Sequence, residues 1–184
     1  MPAFGNPAAR LLIVGLAPAA HGGNRTGRIF TGDESGNFLF RALYSVGLSN
    51  QAESARPGDG LDLFGALLTA AVKCAPPDNR PLPAEFANCR EYLSREIGLL
   101  PASRTLVALG GLAFESCLAA LAAAGAAVPR PRPRFVHGAR YAIGGDVLYA
   151  SYHPSQQNTF TGRLTQRMLR SVLRRAAREG SGIH

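Results

Sequence analysis

The 184-residue chain predicts an α/β fold: one three-layer α/β/α domain over residues 1–184, built on a central, mostly parallel four-stranded sheet. Short apolar runs alternate with segments whose apolar residues recur at helical spacing, an order that sets parallel strands between crossover helices. Each apolar run ends in a loop rich in glycine or proline. The length suits one domain with a full core, and 46% hydrophobic against 17% charged residues is ordinary globular composition.

Leu11 to Gly15 reads as a buried strand. A long glycine-rich loop follows, and Gly36-Asn37-Phe38-Leu39-Phe40-Arg41-Ala42-Leu43-Tyr44 has the spacing of a helix. Leu67 to Val72 is a second strand, halted at Lys73-Cys74-Ala75-Pro76-Pro77, where two prolines forbid regular continuation. A helix from about Ala84 to Ile97 comes next. Thr105 to Leu109 is the third strand, closed by Gly110-Gly111 and followed by an alanine-rich helix from Leu112 to Ala123 with Phe114, Leu118 and Leu121 at core spacing. Pro129 to Arg134 is an extended linker. Val147 to Ala150 makes the fourth strand, ending in Ser151-Tyr152-His153-Pro154, and the last helix runs from Thr165 to Arg178.

In such sheets ligands bind outside the carboxyl ends of the strands. The loops after the first, second and fourth strands are therefore expected to converge on one site. The first loop is neither a phosphate loop, since its glycines precede no Gly-Lys-Ser or Gly-Lys-Thr, nor a dinucleotide fingerprint, since Gly15-Leu16-Ala17-Pro18 does not fit that frame.

Charge narrows the partner. Residues 1–126 carry 10 basic and 10 acidic side chains, whereas residues 127–184 carry 10 arginines against Asp146 and Glu179, so the whole net charge of +8 lies in the last third. Such one-sided charge suits a polyanion such as nucleic acid; coding bias and a solvated surface are the plainer explanation. The longest early apolar run, Leu11 to Val14, is too short to span a bilayer and follows no signal-peptide pattern, so a cytoplasmic protein without membrane contact is expected.

Three side chains stand out. Asp33 is a candidate working carboxylate or, more plainly, a helix N-cap beside Glu34 and Ser35. His153, between a strand end and a proline, can be held in place to donate a hydrogen bond to a leaving group. Phe30 lies among polar residues and glycines, where it either stacks on a planar ligand or anchors the loop. A serine hydrolase built from Ser35 or Ser155 with His153 is an alternative, although no Gly-x-Ser-x-Gly elbow presents a nucleophile.

Three stretches, "GLAPAAHGGNRTGRIFTGD", "TAAVKCAPPDNRP" and "ASYHPSQQNTFTGRLT", occur in that order and together resemble the uracil-DNA glycosylase superfamily, specifically its broad-specificity bacterial B-type branch, family 5. The resemblance runs from about Phe4 to the final helix. It implies a repair enzyme that flips a uracil out of DNA and hydrolyses the N-glycosidic bond to leave an abasic site, with other deaminated or damaged bases as candidate further substrates. A catalytically inactive nucleic-acid-binding module of the same fold is the alternative.

By the resemblance, Gly15, Leu16 and Ala17 belong to the first motif, where other branches place a polar water-activating residue, and Asp33 takes over that work. Phe30 resembles the aromatic that stacks on the base. His153 and Asn158 match the second motif, His-Pro-Ser-x-x-Asn, and Asn79 is the candidate for the base's polar edge. Arg25, Arg28, Ser155, Arg163, Arg170 and Arg174 are expected on the DNA backbone, with Gly162-Arg163-Leu164 as a wedge at the vacated position. The expected partner is uracil- or damage-containing DNA, bound by a monomer at the bacterial nucleoid, and no catalytic metal is required.

Cys74 and Cys89 resemble half of the family's [4Fe-4S] ligand set. The other half, a Cys-x-x-Cys ahead of the first strand, is not in this sequence, and four thiolates normally hold such a cluster. Cys117 falls at a core position of its helix and reads as a buried thiol.

Overall fold

A computed structural model of the chain describes residues 1–180. The elements, in chain order, are β1 (Phe4–Gly5), β2 (Leu11–Gly15), α1 (Glu34–Ser45), β3 (Ala66–Ala70), α2 (Pro83–Leu99), β4 (Thr105–Leu109), α3 (Gly111–Ala123), β5 (Arg140–Ile143), β6 (Asp146–Ser151), α4 (Gln156–Phe160) and α5 (Gln166–Gly180). The sheet order is β1-β3-β2-β4-β6-β5. The four inner strands pair in parallel, as the alternation of elements requires.

The sheet has six strands rather than the expected four. β1 pairs antiparallel with β3 through two residues, too short to leave a pattern in the sequence. β5 pairs antiparallel with β6 at the sheet's edge, and its only apolar run, Tyr141-Ala142-Ile143, is three residues long, too short to stand out as a strand in the sequence. The signal that would have found it is Gly144-Gly145, a two-residue connection of hairpin type between two candidate strands.

β2, β3 and β4 are buried along their whole length, so they read as continuous apolar runs and not as alternations. Successive side chains still take opposite faces. Leu11 and Ile13 pack with α1 and α5, whereas Leu12 and Val14 pack with α2 and α3. α5 buries Leu169, Val172, Leu173 and Ala176, an i, i+3, i+4, i+7 stripe, and turns Arg167, Arg174, Arg175 and Arg178 outward, while Arg170 is half-buried with its Nε out of reach of solvent. Among the described residues no helix is long and apolar enough to cross a membrane.

The chain leaves β2 toward β3 on one side and later returns to β4 on the other. The carboxyl ends of β2 and β4 therefore flank the point where the strand order reverses, the place where open α/β sheets accept ligands.

Candidate active site

A cleft of about 410 Å³ opens at this reversal point. Leu16 from the end of β2, Gly110 to Ala113 from the start of α3, and His153 and Asn158 from the segment after β6 line it, with Phe135, Tyr152 and Arg163 at its other side. Of the three loops expected to converge, those after β2 and β6 meet here; the loop after β3 does not line the cleft, and the turn after β4 takes its place.

Parallel pairing continues one step past β2: Ala71 N–H donates to the Gly15 carbonyl and Val72 N–H to that of Leu16, both at 2.9 Å, which fixes Leu16 in the cleft wall. Gly15 itself has a steric role. A Cβ there would lie 2.6 Å from Cζ of Phe30, so only glycine lets that ring cover the end of the strand. Phe30 has a φ of 53°, is 7% exposed, and sets its ring centroid 6.1 Å from that of His153 at a tilt of 32°. The structure thus brings Phe30 and His153 together, although Phe30 is not itself among the residues lining the cleft.

Asp33 is the N-cap of α1. Its Oδ1 accepts the Gly36 N–H at 2.8 Å, and its Oδ2 lies where a Cβ on Gly22 would come within 2.1 Å. Burial raises its pKa above the ordinary 3.8, opposed by backbone N–H groups of Gly36 and Ser35. Both sequence readings of Asp33 therefore have a physical basis: it caps the helix, and it is a desolvated carboxylate in a glycine-built loop. Thr26 fastens that loop, its Oγ1 lying 3.1 Å from the Gly22 carbonyl and 3.3 Å from that of Thr31.

His153 sits hard against the turn that starts α3. A Cβ on Gly110 would approach its Cβ to 3.3 Å, and Gly110 also adopts a φ of 100°, which side chains other than glycine's resist. Asn158 donates from Nδ2 to the His153 carbonyl at 2.9 Å and so pins the backbone that carries the imidazole. Burial pushes the His153 pKa down to about 4, which keeps the ring neutral at physiological pH. Beside it, α3 begins without a side-chain cap, so the positive end of a 13-residue helix faces the cleft. A neutral N–H donor next to a helix N-terminus favours an anion developing between them.

The sequence alone marks Gly110-Gly111 only as a strand stop and gives no role to Phe135 or Tyr152. The pair of glycines between strand and helix was the available signal for the first of these.

Two expected DNA contacts are corrected. Arg28 is buried, paired with Asp59 at 2.6 Å and hydrogen-bonded to Thr31 and Ser54, so its guanidinium is spent on tying the loop to the segment between α1 and β3. Leu164 is 1% exposed and belongs to the core under α1 and α5, so it is no wedge; the apolar side chain at the tip is Phe160, 80% exposed. Arg163 remains exposed, with Cζ 4.6 Å above the Tyr152 ring.

The remaining residues divide. Arg25 is exposed and donates to the His21 carbonyl, and Ser155 caps α4 by position. Asn79 is exposed, with a φ of 55°, in the turn after β3 and is not in the cleft lining. Arg170 lies one turn into α5. Arg174 is a turn further on, toward the opposite edge of the sheet, where Gly180 packs on Arg10 at the start of β2.

Cys74 is exposed and Cys89 buried, and both line a second cleft, of about 590 Å³, with Lys73 and Glu96. Cys117 lies apart in the core, where burial raises its thiol pKa and leaves it inert. Among the described residues no group of three or more ligating side chains forms a metal site. Two thiolates are half of a four-thiolate set, so these residues do not by themselves fit a [4Fe-4S] cluster, and no chemistry is routed through one.

The family model for the uracil DNA glycosylase superfamily matches residues 2–177. A type-5 uracil-DNA glycosylase of Thermus thermophilus is 53% identical over 97% of the chain and 79% of its own length. Proteins of the same name from Pyrobaculum aerophilum and Mycobacterium tuberculosis are each 49% identical over 96% of the chain; the alignments span 75% and 65% of those relatives.

Proposed function

The chain belongs to the uracil-DNA glycosylase superfamily, and from that premise we propose that it excises uracil, and other deaminated bases of similar shape, from DNA by hydrolysing the N-glycosidic bond. The observation that carries this reading is the meeting of Phe30, His153 and the uncapped start of α3 at the reversal point of the sheet. An aromatic ring, a neutral hydrogen-bond donor and a helix N-terminus are what a planar base needs as it departs with a negative charge.

Bond cleavage generates a sugar cation and a base anion. His153 donates to the base as a neutral imidazole, its low pKa keeping it in that form, and the first turn of α3 adds further positive potential. Asp33 supplies negative charge on the cation side and orients water. Leu16 and Ala17 close the pocket with apolar surface, Phe30 stacks on the base, and Asn79 approaches its polar edge when DNA is bound. Asn158 holds the His153 backbone. Extrusion of the nucleotide costs a few kcal/mol and is cheapest at mismatches such as U opposite G. Arg25, Ser155 and Arg163 meet the backbone around the flipped nucleotide, with Arg170 and Arg174 further along it. The protein works as a single chain in the cytoplasm, and the reaction needs no divalent metal.

The test is incubation with a G·U duplex in the presence of a chelator. Free uracil and an alkali-labile abasic site are expected, and strand scission that requires added metal would overturn the reading.

A further inference from the structure

Along the far side of the cleft lies an aromatic stack to which the proposed chemistry gives no role beyond Arg163 at its top. Tyr152 donates its backbone N–H to Nδ1 of His137 at 3.0 Å, so that nitrogen carries no proton. The two rings are parallel to within 7° with centroids 4.8 Å apart. Phe135 packs against both Tyr152 and Phe114, at 5.9 and 5.8 Å, and ties this assembly to α3. Over Tyr152 lies the guanidinium of Arg163, which among the described residues pairs with no carboxylate.

We propose that His137 is a positioning residue for DNA binding: stacked on Tyr152, it holds that ring as the platform that carries Arg163 at the cleft mouth, ready for the phosphate beside the extruded nucleotide. The inference rests on the base-excision reading above. An arginine free to rotate loses conformational entropy when it grips a phosphate, and one already laid on a fixed ring loses less. The platform needs bracing because Tyr152 sits in the irregular segment between β6 and α4, where no ladder hydrogen bond fixes it. Burial lowers the His137 pKa, so the brace stays neutral and adds no second cation beside Arg163.

A double-mutant cycle tests this, with affinity measured on a duplex bearing a tetrahydrofuran abasic analogue and single-turnover rates on G·U duplex at saturating protein. His137→Ala is expected to weaken binding about 3- to 10-fold, the span of one cation–π contact, with the loss in affinity and not in the saturated rate. In an Arg163→Ala background the same change should cost nothing further. Where His137→Ala does not fold, His137→Asn, which can still accept the Tyr152 N–H but offers no ring, takes its place with the same expectations. Unchanged affinity, or equal losses with and without Arg163, would overturn the clamp while leaving base excision intact. Wild-type protein that neither binds nor processes uracil DNA would overturn both.

Discussion

The loop after β2 and the segment after β6 both deliver residues to the cleft, yet they are built in opposite ways. The first has its polar groups tied down: Arg28 on Thr31 and on Ser54 and Asp59 of the segment between α1 and β3, Thr26 on backbone carbonyls, Asp33 on the start of α1. The second is fixed at its root, where Asn158 holds His153, and open at its tip, where Arg163 and Phe160 face solvent. A fastened loop makes a pocket of set shape, and an open one leaves charge for a partner. Changes in the first loop should therefore fall on stability and rate, and changes at the tip of the second on binding and its salt dependence.

The largest effect expected is at the root of the second segment. His153→Ala should slow base release by about 10²-fold or more, the usual span for a general acid or leaving-group donor. Single-turnover rates equal to wild type would remove His153 from the chemistry.

Arg28→Ala separates the two segments most cleanly. Breaking a buried ion pair leaves Asp59 without its partner and should cost about 3 kcal/mol in denaturant unfolding, while the salt slope of DNA binding stays where it was. A flatter slope with full stability would return Arg28 to the DNA interface. Arg163→Ala should do the reverse: affinity falls about 3- to 10-fold and the slope of log affinity against log salt flattens by about 0.9, with no change in melting temperature.

The smallest effect is in the pH profile. His153 has its pKa held near 4 by burial, so the rate should show no break at the ordinary imidazole value of 6.5. Stability should respond with a definite sign. A histidine whose folded pKa lies below its unfolded value favours folding while neutral, so its contribution is full above about 6.5 and is lost as pH falls toward about 4. A rate that rises or falls through pH 6.5 with His153 as the titrating group would contradict this.

How much of this was legible in the sequence depends on what each residue answers to. The four inner strands lie in the sequence as apolar runs because both their faces are covered, and their ends fell within a residue or two of those expected. β5 was hidden because its pairing comes from the hairpin and not from its own pattern. Phe30 and His153 were visible as residues out of place, an aromatic among glycines and an imidazole before proline, and the structure sets them side by side. Arg28 and Leu164 were misread for one reason: a linear sequence does not tell an arginine on the surface from one folded back onto Asp59, 31 residues later, nor a leucine at a loop tip from one tucked under α5. Tyr152 became interesting only when His137 and Arg163 arrived on its ring from elements far apart in the chain.

On the proposed reading the loop after β2 does more than shape a pocket: Asp33 provides the charge that stabilises the sugar cation as well as the cap of α1. Asp33→Asn removes the charge while leaving an oxygen to accept the Gly36 N–H, so the helix start should survive and the chemistry should not. The measurement is the single-turnover release of uracil from G·U duplex beside the affinity for that duplex. A rate lowered by about 10²-fold or more with affinity nearly unchanged is the predicted result. Full activity in Asp33→Asn would make Asp33 a cap alone and place the cation-stabilising group elsewhere.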